Sequence, residues 1–305
     1  MWKIAIYKKN SKEDSFLKSN NSCLQTVALP KRYWAADPFL FSYKGTDFLF
    51  YELFDYYRSR GLIAFSTITN GVVSSPKVII KKPYHLSFPY IFEYNNDIYI
   101  MPESCGDKTV RLFKAVNFPN KWVEDNVLLK NINACDTVLL MAQEKKYLLT
   151  SCMPNSDYCK IENRIYEINE KNVNNEKNYI MASSGDYGIR NGGAIIYNKE
   201  DIIRVGQDCT DGRYGKGLVF WKIKSLNPYN EDELFSVDST EIGKFIMGFE
   251  NIEIRGIHTY NSNDKYEVID FLVKEKVPNY IKMIAFLHRV YKFALRKIRG
   301  VIYEK

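Results

Sequence analysis

The chain has 305 residues, 46% apolar and 15% aromatic, with 23 Tyr and 18 Phe, enough for a large core rich in strand-favouring rings. Its formal net charge is +7, but Lys282, Arg289, Lys292, Arg296, Lys297 and Arg299 concentrate six positive charges in an acid-free stretch near the C-terminal end. The remainder is close to neutral, which argues against nucleic acid as a partner, and no run of about 18 apolar residues suggests a spanning helix.

The start, MWKIAIYKK, reads as a short strand without the long apolar run of a secretory leader. Residues 11–32 are polar and loop-like. Residues 34–52 (WAADPFLFSYKGTDFLFYE) then read as a strand, a turn at Lys44-Gly45 and a returning strand. A hairpin brings its two outer acids, Asp37 and Glu52, to one edge of a sheet. A strand over 61–69, an Asn70-Gly71 turn and an outer strand over 72–80 complete a four-stranded unit.

The unit recurs. Residues 88–103 (FPYIFEYNNDIYIMPE) form a second hairpin, turning at Asn95-Asn96-Asp97, with RLFKAV and WVEDNVLLK as its outer strands. Residues 136–151 (DTVLLMAQEKKYLLTS) form a third, followed by a polar stretch, RIYEI and an irregular region at 169–182. Residues 193–208 (GAIIYNKEDIIRVGQD) form a fourth, in a unit that opens near Ile189 and includes the long strand RYGKGLVFWKIKSL. Residues 256–270 (GIHTYNSNDKYEVID) form a slightly shorter fifth.

In the first four hairpins the two ends are 15 residues apart, and successive copies start about 50 to 65 residues apart. Five such units predict an all-β, five-bladed β-propeller over 1–276, its last blade closed by the N-terminal strand. Residues 277–305 differ. Pro278 suits a first helical turn, and Ile281, Ile284, Leu287, Tyr291, Ala294, Leu295 and Ile298 recur at helical spacing opposite a basic face. The expectation is a C-terminal amphipathic α-helix on an anionic membrane surface through 278–300; a helix packed on the propeller is the alternative.

In a propeller the ends of all five hairpins converge on one mouth of the central channel. That gathers Asp37, Glu52, His85, Ser87, Glu103, Asp136, Arg190, Asn191, Asp208, His258 and Asp270, with Trp34 and Gln207 beside them. Singly, such residues are common at strand ends for local hydrogen-bonding reasons. As a set they make a candidate ligand pocket. The six cysteines (Cys23, Cys105, Cys135, Cys152, Cys159, Cys209) show no zinc spacing and read as reduced thiols of a cytoplasmic protein. Cys105, Cys135 and Cys209 lie within two residues of pocket candidates, but a catalytic thiol needs a base to activate it. Three histidines make no recognised metal spacing, and neither a GxGxxG nor a P-loop pattern is present, so no metal and no cofactor is expected.

The segments WAADPFLF, HLSFPYIFEYNNDIYIMPES, RVGQDCTDGRYGKGLVFWKI and GIHTYNSNDKYEVID resemble the propeller domain of glucosamine inositolphosphorylceramide transferases and its bacterial relatives in surface-polysaccharide gene sets. The resemblance covers about residues 30 to 272. That domain is similar in turn to the five-bladed propellers of furanosidases of the invertase and arabinanase types. There the base or nucleophile is an Asp at the start of the first inner strand, a place taken here by Asp37-Pro38. The resemblance implies a charge-stabilising Asp and an acidic Glu as well, with Glu103 and Asp208 as occupants and Asp136 as a further candidate. The Arg-Asp-Pro and Glu-Cys signatures of the invertase group are absent, which disfavours hydrolysis.

The resulting expectation is a glycosyltransferase of surface-glycan or glycolipid assembly, peripheral to the inner face of the membrane. It would move a sugar from an activated donor to a glycan or lipid-linked acceptor, with Asp37 as base or nucleophile, Glu103 as acid and Asp208 stabilising charge. Trp34, Glu52, His85, Ser87, Asp136, Arg190, Asn191, Gln207 and His258 would bind substrate, the histidines and Arg190 meeting phosphate groups. The alternatives are a furanosidase-like hydrolase and a non-catalytic sugar-binding or scaffold module.

Overall fold

The computed structural model describes residues 1–17, 24–142, 144–154, 161–169, 172–173, 177–198, 201–249 and 251–303, with side chains to 291. Cys23, Cys159 and the basic side chains from Lys292 onward lie outside the described residues.

The strands form five antiparallel sheets, the blades of a β-propeller. Blade 1 holds Tyr33–Tyr43, Thr46–Asp55 and Arg60–Thr69, with Val72–Val73 and Lys77–Ile80 outermost. Blade 2 holds Ser87–Tyr94, Asp97–Ser104, Thr109–Asn117 and Lys121–Lys130. Blade 3 holds Ala134–Ala142, Lys145–Cys152 and Ile161–Asn169, then Asn172–Val173 and Ile180–Gly185 as a divided outer strand. The turns are formed where the sequence signals them. Lys44 and Gly45 have φ of 48° and 79°, and Asn95 and Asn96 have φ of 50° and 63°. Consecutive left-handed residues are what a tight hairpin needs to match the twist of its strands.

The fourth hairpin departs from expectation. The inner edge of blade 4 is two pieces, Tyr187–Asn191 and Ile196–Asn198, both paired with Asp201–Asp208. Asp208 lies opposite Tyr187, so the inner strand begins there and the apparent 15-residue repeat from Gly193 is not the structural one. Gly193 sits between the two pieces because blade 5 crowds it: a Cβ there would stand 2.0 Å from the Tyr260 carbonyl oxygen. Gly217–Leu226 and Tyr229–Asp238 complete the blade.

Blade 5 closes the ring as expected. Ile254–Gly256 and Tyr260–Ser262 pair with Tyr266–Val273, whose other edge pairs with Trp2–Lys8, itself flanked by Gln25–Thr26. Joining the two ends of the ring in one sheet removes the open seam at which a propeller would otherwise splay. Between blades the core is apolar. Phe39, Phe50, Phe88, Ile100, Val138 and Leu149, with Ile223 and Leu226, form part of one cluster that runs through blades 1 to 4.

A helix, Asn279–Tyr303, follows blade 5. Among its described side chains, which leave out Ala294, Leu295 and Ile298, the apolar residues do not form a single docked stripe. Ile281 and Ala285 are buried, whereas Leu287 and Tyr291, expected on the same face, are exposed beside Met283, Phe286 and Val290. No helix among the described residues is long and apolar enough to cross a membrane.

Candidate functional site

One local device builds the mouth. Ala36 lies opposite Glu52, Ser87 opposite Glu103, Cys135 opposite Ser151 and Tyr187 opposite Asp208, and after each of these four pairs the register shifts. The next residue in each inner strand is left-handed: Asp37 (φ 53°), Phe88 (φ 44°), Asp136 (φ 49°) and Gly188 (φ 65°). Such a bulge bends the strand and re-aims its side chain. Three of the four are not glycine, and each carries a backbone cost on the order of 1 kcal/mol or more, a cost that concentrates at functional sites.

Asp37 is thereby turned into the ring and made its clasp. Its Oδ2 accepts from the Phe88 amide at 3.0 Å, and its Oδ1 accepts from the Thr259 hydroxyl at 2.9 Å. Its own amide donates to Asp270 Oδ2 at 2.9 Å, so one aspartate joins blades 1, 2 and 5. His258 stands between the two acids, with Nε2 3.2 Å from Asp37 Oδ1 and Nδ1 2.8 Å from Asp270 Oδ2. The second approach is an ion-pair contact off the line of a hydrogen bond. Asp270 Oδ1 also accepts from the His258 and Thr259 amides, both at 3.0 Å. Burial opposes charge on His258, yet Asp270 and Asp37 outweigh it and hold the imidazole protonated, well above its ordinary range. Burial likewise opposes charge on Asp37, and the facing imidazolium, followed by the Phe88 amide and Thr259 hydroxyl, brings its carboxyl below the usual range.

Across the channel lies a second cluster. Arg190 binds Asp136 through Nε and reaches Glu103 Oε2 with its other arm at 3.3 Å. Its guanidinium carbon stands 5.2 Å from the centre of the half-exposed Tyr214 ring. Gln207 Nε2 donates to Asp136 Oδ2 at 3.1 Å and to the Asn191 carbonyl at 2.7 Å. Asn191 Nδ2 donates to the Asp136 carbonyl at 2.8 Å and the Leu149 carbonyl at 3.1 Å, tying blade 4 to blade 3. Burial raises the Asp136 carboxyl, with Arg190 opposing. Burial and the neighbouring Asp136 charge raise Glu103 to about 8, despite Arg190. Glu103 therefore holds a proton to far higher pH than an ordinary carboxylate does.

Glu52 and His85 form a third pair, Oε1 to Nε2 at 3.1 Å. Burial raises Glu52. Two influences conflict at His85. Against burial, Glu52 pulls the imidazole up to about 9, but the Gly61 amide donates to Nδ1 at 3.0 Å, which requires a lone pair there. While that amide contact holds, the ring is neutral with its proton on Nε2, facing Glu52. Gly61 is required at this place, because a Cβ would stand 2.3 Å from the Leu86 carbonyl oxygen and 2.5 Å from Glu52 Oε1.

The structure thus brings Asp37, Glu52, His85, Glu103, Asp136, Arg190, Asn191, Gln207, His258 and Asp270 to one mouth. The charge of Asp37 is felt at Glu52, Glu103 and Asp136 alike. Ser87 is buried opposite Glu103. Asp208 is engaged elsewhere, its Oδ1 accepting from the Thr210 amide at 2.9 Å to hold the turn Thr210–Gly212. Trp34 stands out along the blade 1 hairpin, stacked on Phe54 at 4.5 Å. The charges of His258 and Arg190 are already neutralised by acids within the protein. Sequence reasoning missed Thr259, the Phe88 amide and Trp2, whose ring lies 4.1 Å from that of His258. Trp2 had no local signal, since the contact exists only because the two ends of the chain share a sheet. The four described cysteines are unpaired. Burial raises the thiols of Cys105 to about 11 and Cys152 to about 12, away from the thiolate range. Asp37, His258 and Asp270 each offer one ligand atom within 4.8 Å of the others, as do Glu103, Cys135 and Asp136; in the first set those atoms are already joined by the ion pairs of His258.

Relatives of known name share this chain. Glucosamine inositolphosphorylceramide transferase 1 of Arabidopsis thaliana is 33% identical over 227 residues, covering 71% of this chain and 29% of the relative. The protein of the same name from Oryza sativa subsp. indica is 31% identical over 201 residues, 63% of this chain and 26% of the relative. The chain therefore spans less than a third of the length of these relatives. Among solved structures, an alpha-L-arabinofuranosidase from Lactobacillus brevis superposes with a TM-score of 0.54 at 14% identity, over 78% of this chain and 82% of the other. An endo-arabinase from Bacteroides thetaiotaomicron does so with a TM-score of 0.54 at 13% identity, over 82% and 98%. At that identity the likeness establishes the propeller and nothing about its chemistry. Over residues 21–246 the sequence matches the family described as glucosamine inositolphosphorylceramide transferase 1, N-terminal, and the chain belongs to that family.

Proposed function

We propose that the channel mouth serves glycosyl transfer, handling an activated sugar and a glycan or lipid-linked acceptor. The observation that carries this is the buried cluster in which Arg190 joins Asp136 to Glu103, whose carboxyl burial and the Asp136 charge raise to about 8. Such a group can give a proton to a departing oxygen, or as its anion take one from an attacking hydroxyl. Arg190, held between Asp136 and Glu103, fixes that carboxyl and offsets charge as the proton moves. Asp37 is the fixed anion across the channel, suited to stabilising cationic character at an anomeric carbon. The relatives are named for glucosamine and inositolphosphorylceramide, an amino sugar and a phosphorylated lipid, which supports a sugar donor and a lipid acceptor. Surface-polysaccharide assembly is the setting that suits such chemistry.

The test is calorimetric titration of a panel of nucleotide sugars, nucleotides and lipid-phosphate sugars against the wild type and Asp37→Asn. Saturable binding of one activated sugar, weakened in the variant, supports the reading. Binding of free oligosaccharide alone, with none to any activated sugar, removes it.

A second reading has its own support. The chain spans under a third of its named relatives' length, and Asp37 and Asp136 are already bonded to partners. A propeller that binds sugar for chemistry done elsewhere fits both facts. It differs in outcome: variants of the mouth would weaken binding without abolishing transfer.

We also propose attachment to the inner face of an anionic membrane through 278–300, in a cytoplasmic setting that suits the unpaired thiols. Exposed Met283, Phe286, Leu287, Val290 and Tyr291 beside the acid-free basic run support it, as membrane-surface helices combine these features. In flotation, the chain is expected to rise with vesicles containing phosphatidylserine and to stay behind with phosphatidylcholine alone. Equal behaviour with both removes the idea.

A further inference from the structure

A groove of about 290 Å³ lies where blade 5 meets blade 1. Its apolar wall is made by Trp2, Val27, Leu29 and Trp34, and Pro278, which leads into the C-terminal helix, stands at its lip. Lys31 and Lys276 also line it and are exposed. A third lysine, Lys3, is balanced by Glu275 at 3.1 Å, which leaves the lining side chains two positive charges in excess, beside the Met1 amine. Trp2 belongs to the groove and to the mouth at once. Its ring rests on His258 at 4.1 Å, and Gly215 and Gly256 leave room for its far edge, since a Cβ on either would stand 3.3 or 3.2 Å from Cη2. A ligand in the groove is thus separated from the Asp37–His258–Asp270 group by a single indole.

We propose that this groove receives the phosphate-bearing headgroup of an anionic lipid, the acceptor side of the reaction, and so rests on the transfer reading above. Lys31 and Lys276 meet the phosphate. Trp34 and Trp2 cover the first carbons of the chain or the sugar face attached to it, as indole rings do where an apolar and a wet surface meet. The charge excess selects an anion, the aromatic wall selects an amphiphile over a bare ion, and the helix that starts one residue past Pro278 carries exposed apolar residues suited to the rest of a lipid. The polar end then points past Trp2 toward the mouth.

The test uses the full chain and dihexanoyl phosphatidic acid below its micellar concentration, read by calorimetry, with dihexanoyl phosphatidylcholine and inorganic phosphate as comparison ligands. The expected result is saturable binding of phosphatidic acid, with both comparison ligands weaker by about tenfold or more. The Lys31→Ala/Lys276→Ala pair and, separately, Trp34→Ala are each expected to weaken it by about tenfold. These residues lie at the surface, and circular dichroism confirms that the variants remain folded. Absent binding, binding that none of these variants changes, or inorganic phosphate binding as tightly as the lipid would overturn the proposal. Donor-sugar titration on the wild type and the same variants separates the two readings. In the wild type, donor binding without phosphatidic acid binding sinks the groove alone, and phosphatidic acid binding without donor binding sinks the transfer reading alone; in the variants, donor binding should be unchanged.

Discussion

Glu103→Gln is expected to lower sugar transfer by about 10²- to 10⁴-fold, the range general acid–base catalysis supplies. The amide keeps the shape of the side chain and a hydrogen bond to Arg190, so the Asp136–Arg190 pair and the fold should survive. What it removes is the movable proton. The pH profile gives an independent reading. Glu103 is raised to about 8 by burial and by Asp136, so the protonated form predominates below that value and is lost above it. Transfer that needs this proton should therefore fall as pH rises through about 8, and the variant should lose that limb of the profile. A variant with undiminished transfer would remove Glu103 from the chemistry. Loss of donor binding with unchanged turnover of what does bind would favour the sugar-binding module.

Asp37→Ala is expected to be the most destabilising of the mouth substitutions, by about 3–4 kcal/mol. It leaves the Phe88 amide and the Thr259 hydroxyl as buried donors without an acceptor, and it strips one of two counter-charges from a buried imidazolium. Asp37→Asn should cost less, because its Oδ1 can still accept one of these bonds. Urea unfolding of the three proteins checks the order, and an alanine variant as stable as wild type would show that the clasp does not hold the ring. The sign of the pH dependence follows from the same group. Asp37 has its folded value lowered from 3.8, so its contribution is present above the ordinary carboxylate range and is lost as pH falls through the folded value. His258 has its folded value raised well above 6.5, so its contribution is full below 6.5 and is lost as pH rises through the folded value on the alkaline side. The contribution of the Asp37–His258 pair should hold a plateau between these limits, on top of the decline with rising pH that Glu103, raised to about 8, introduces, and Asp37→Ala should lose the acidic limb.

The blades were legible because their cause is local. Alternating aromatic and aliphatic residues specify a strand, Lys44-Gly45 and Asn95-Asn96 supply the left-handed pairs that a tight hairpin needs, and repetition at near-constant spacing specifies a ring. Closure by Trp2–Lys8 was legible for the same reason, as a lone strand with no partner nearby in sequence. Blade 4 opens near Ile189 as its sequence suggests, but its hairpin does not start at Gly193, because strands are read by periodicity and a break inside one hides its true start. GAIIY looks like the hairpin's inner strand, yet Tyr187–Asn191 carries the mouth end, and Gly193 marks an interruption forced by the Tyr260 carbonyl of the next blade.

The helix illustrates a different limit. Ile281, Ile284, Leu287 and Tyr291 share a helical face in the sequence, but periodicity says which residues could be buried together and not what lies there to bury them. Ile281 and Ala285 are covered, while Leu287 and Tyr291 stay in the open.

By itself, the sequence determined that this protein is a ring of five β-blades with a basic helical tail, and that acids, amides and histidines stand at one end of its hairpins. Those properties follow from residue type and spacing along the chain. Only the tertiary structure decided what each polar group is. Asp37 became a clasp between three blades, Glu103 a proton-bearing acid, His258 a fixed imidazolium and Asp208 a turn-holder. The reason is that burial and the nearest opposite charge set a carboxyl's state, and here those neighbours come from other blades, as with Asp37 and Thr259, which are 222 residues apart in sequence and 2.9 Å apart in space.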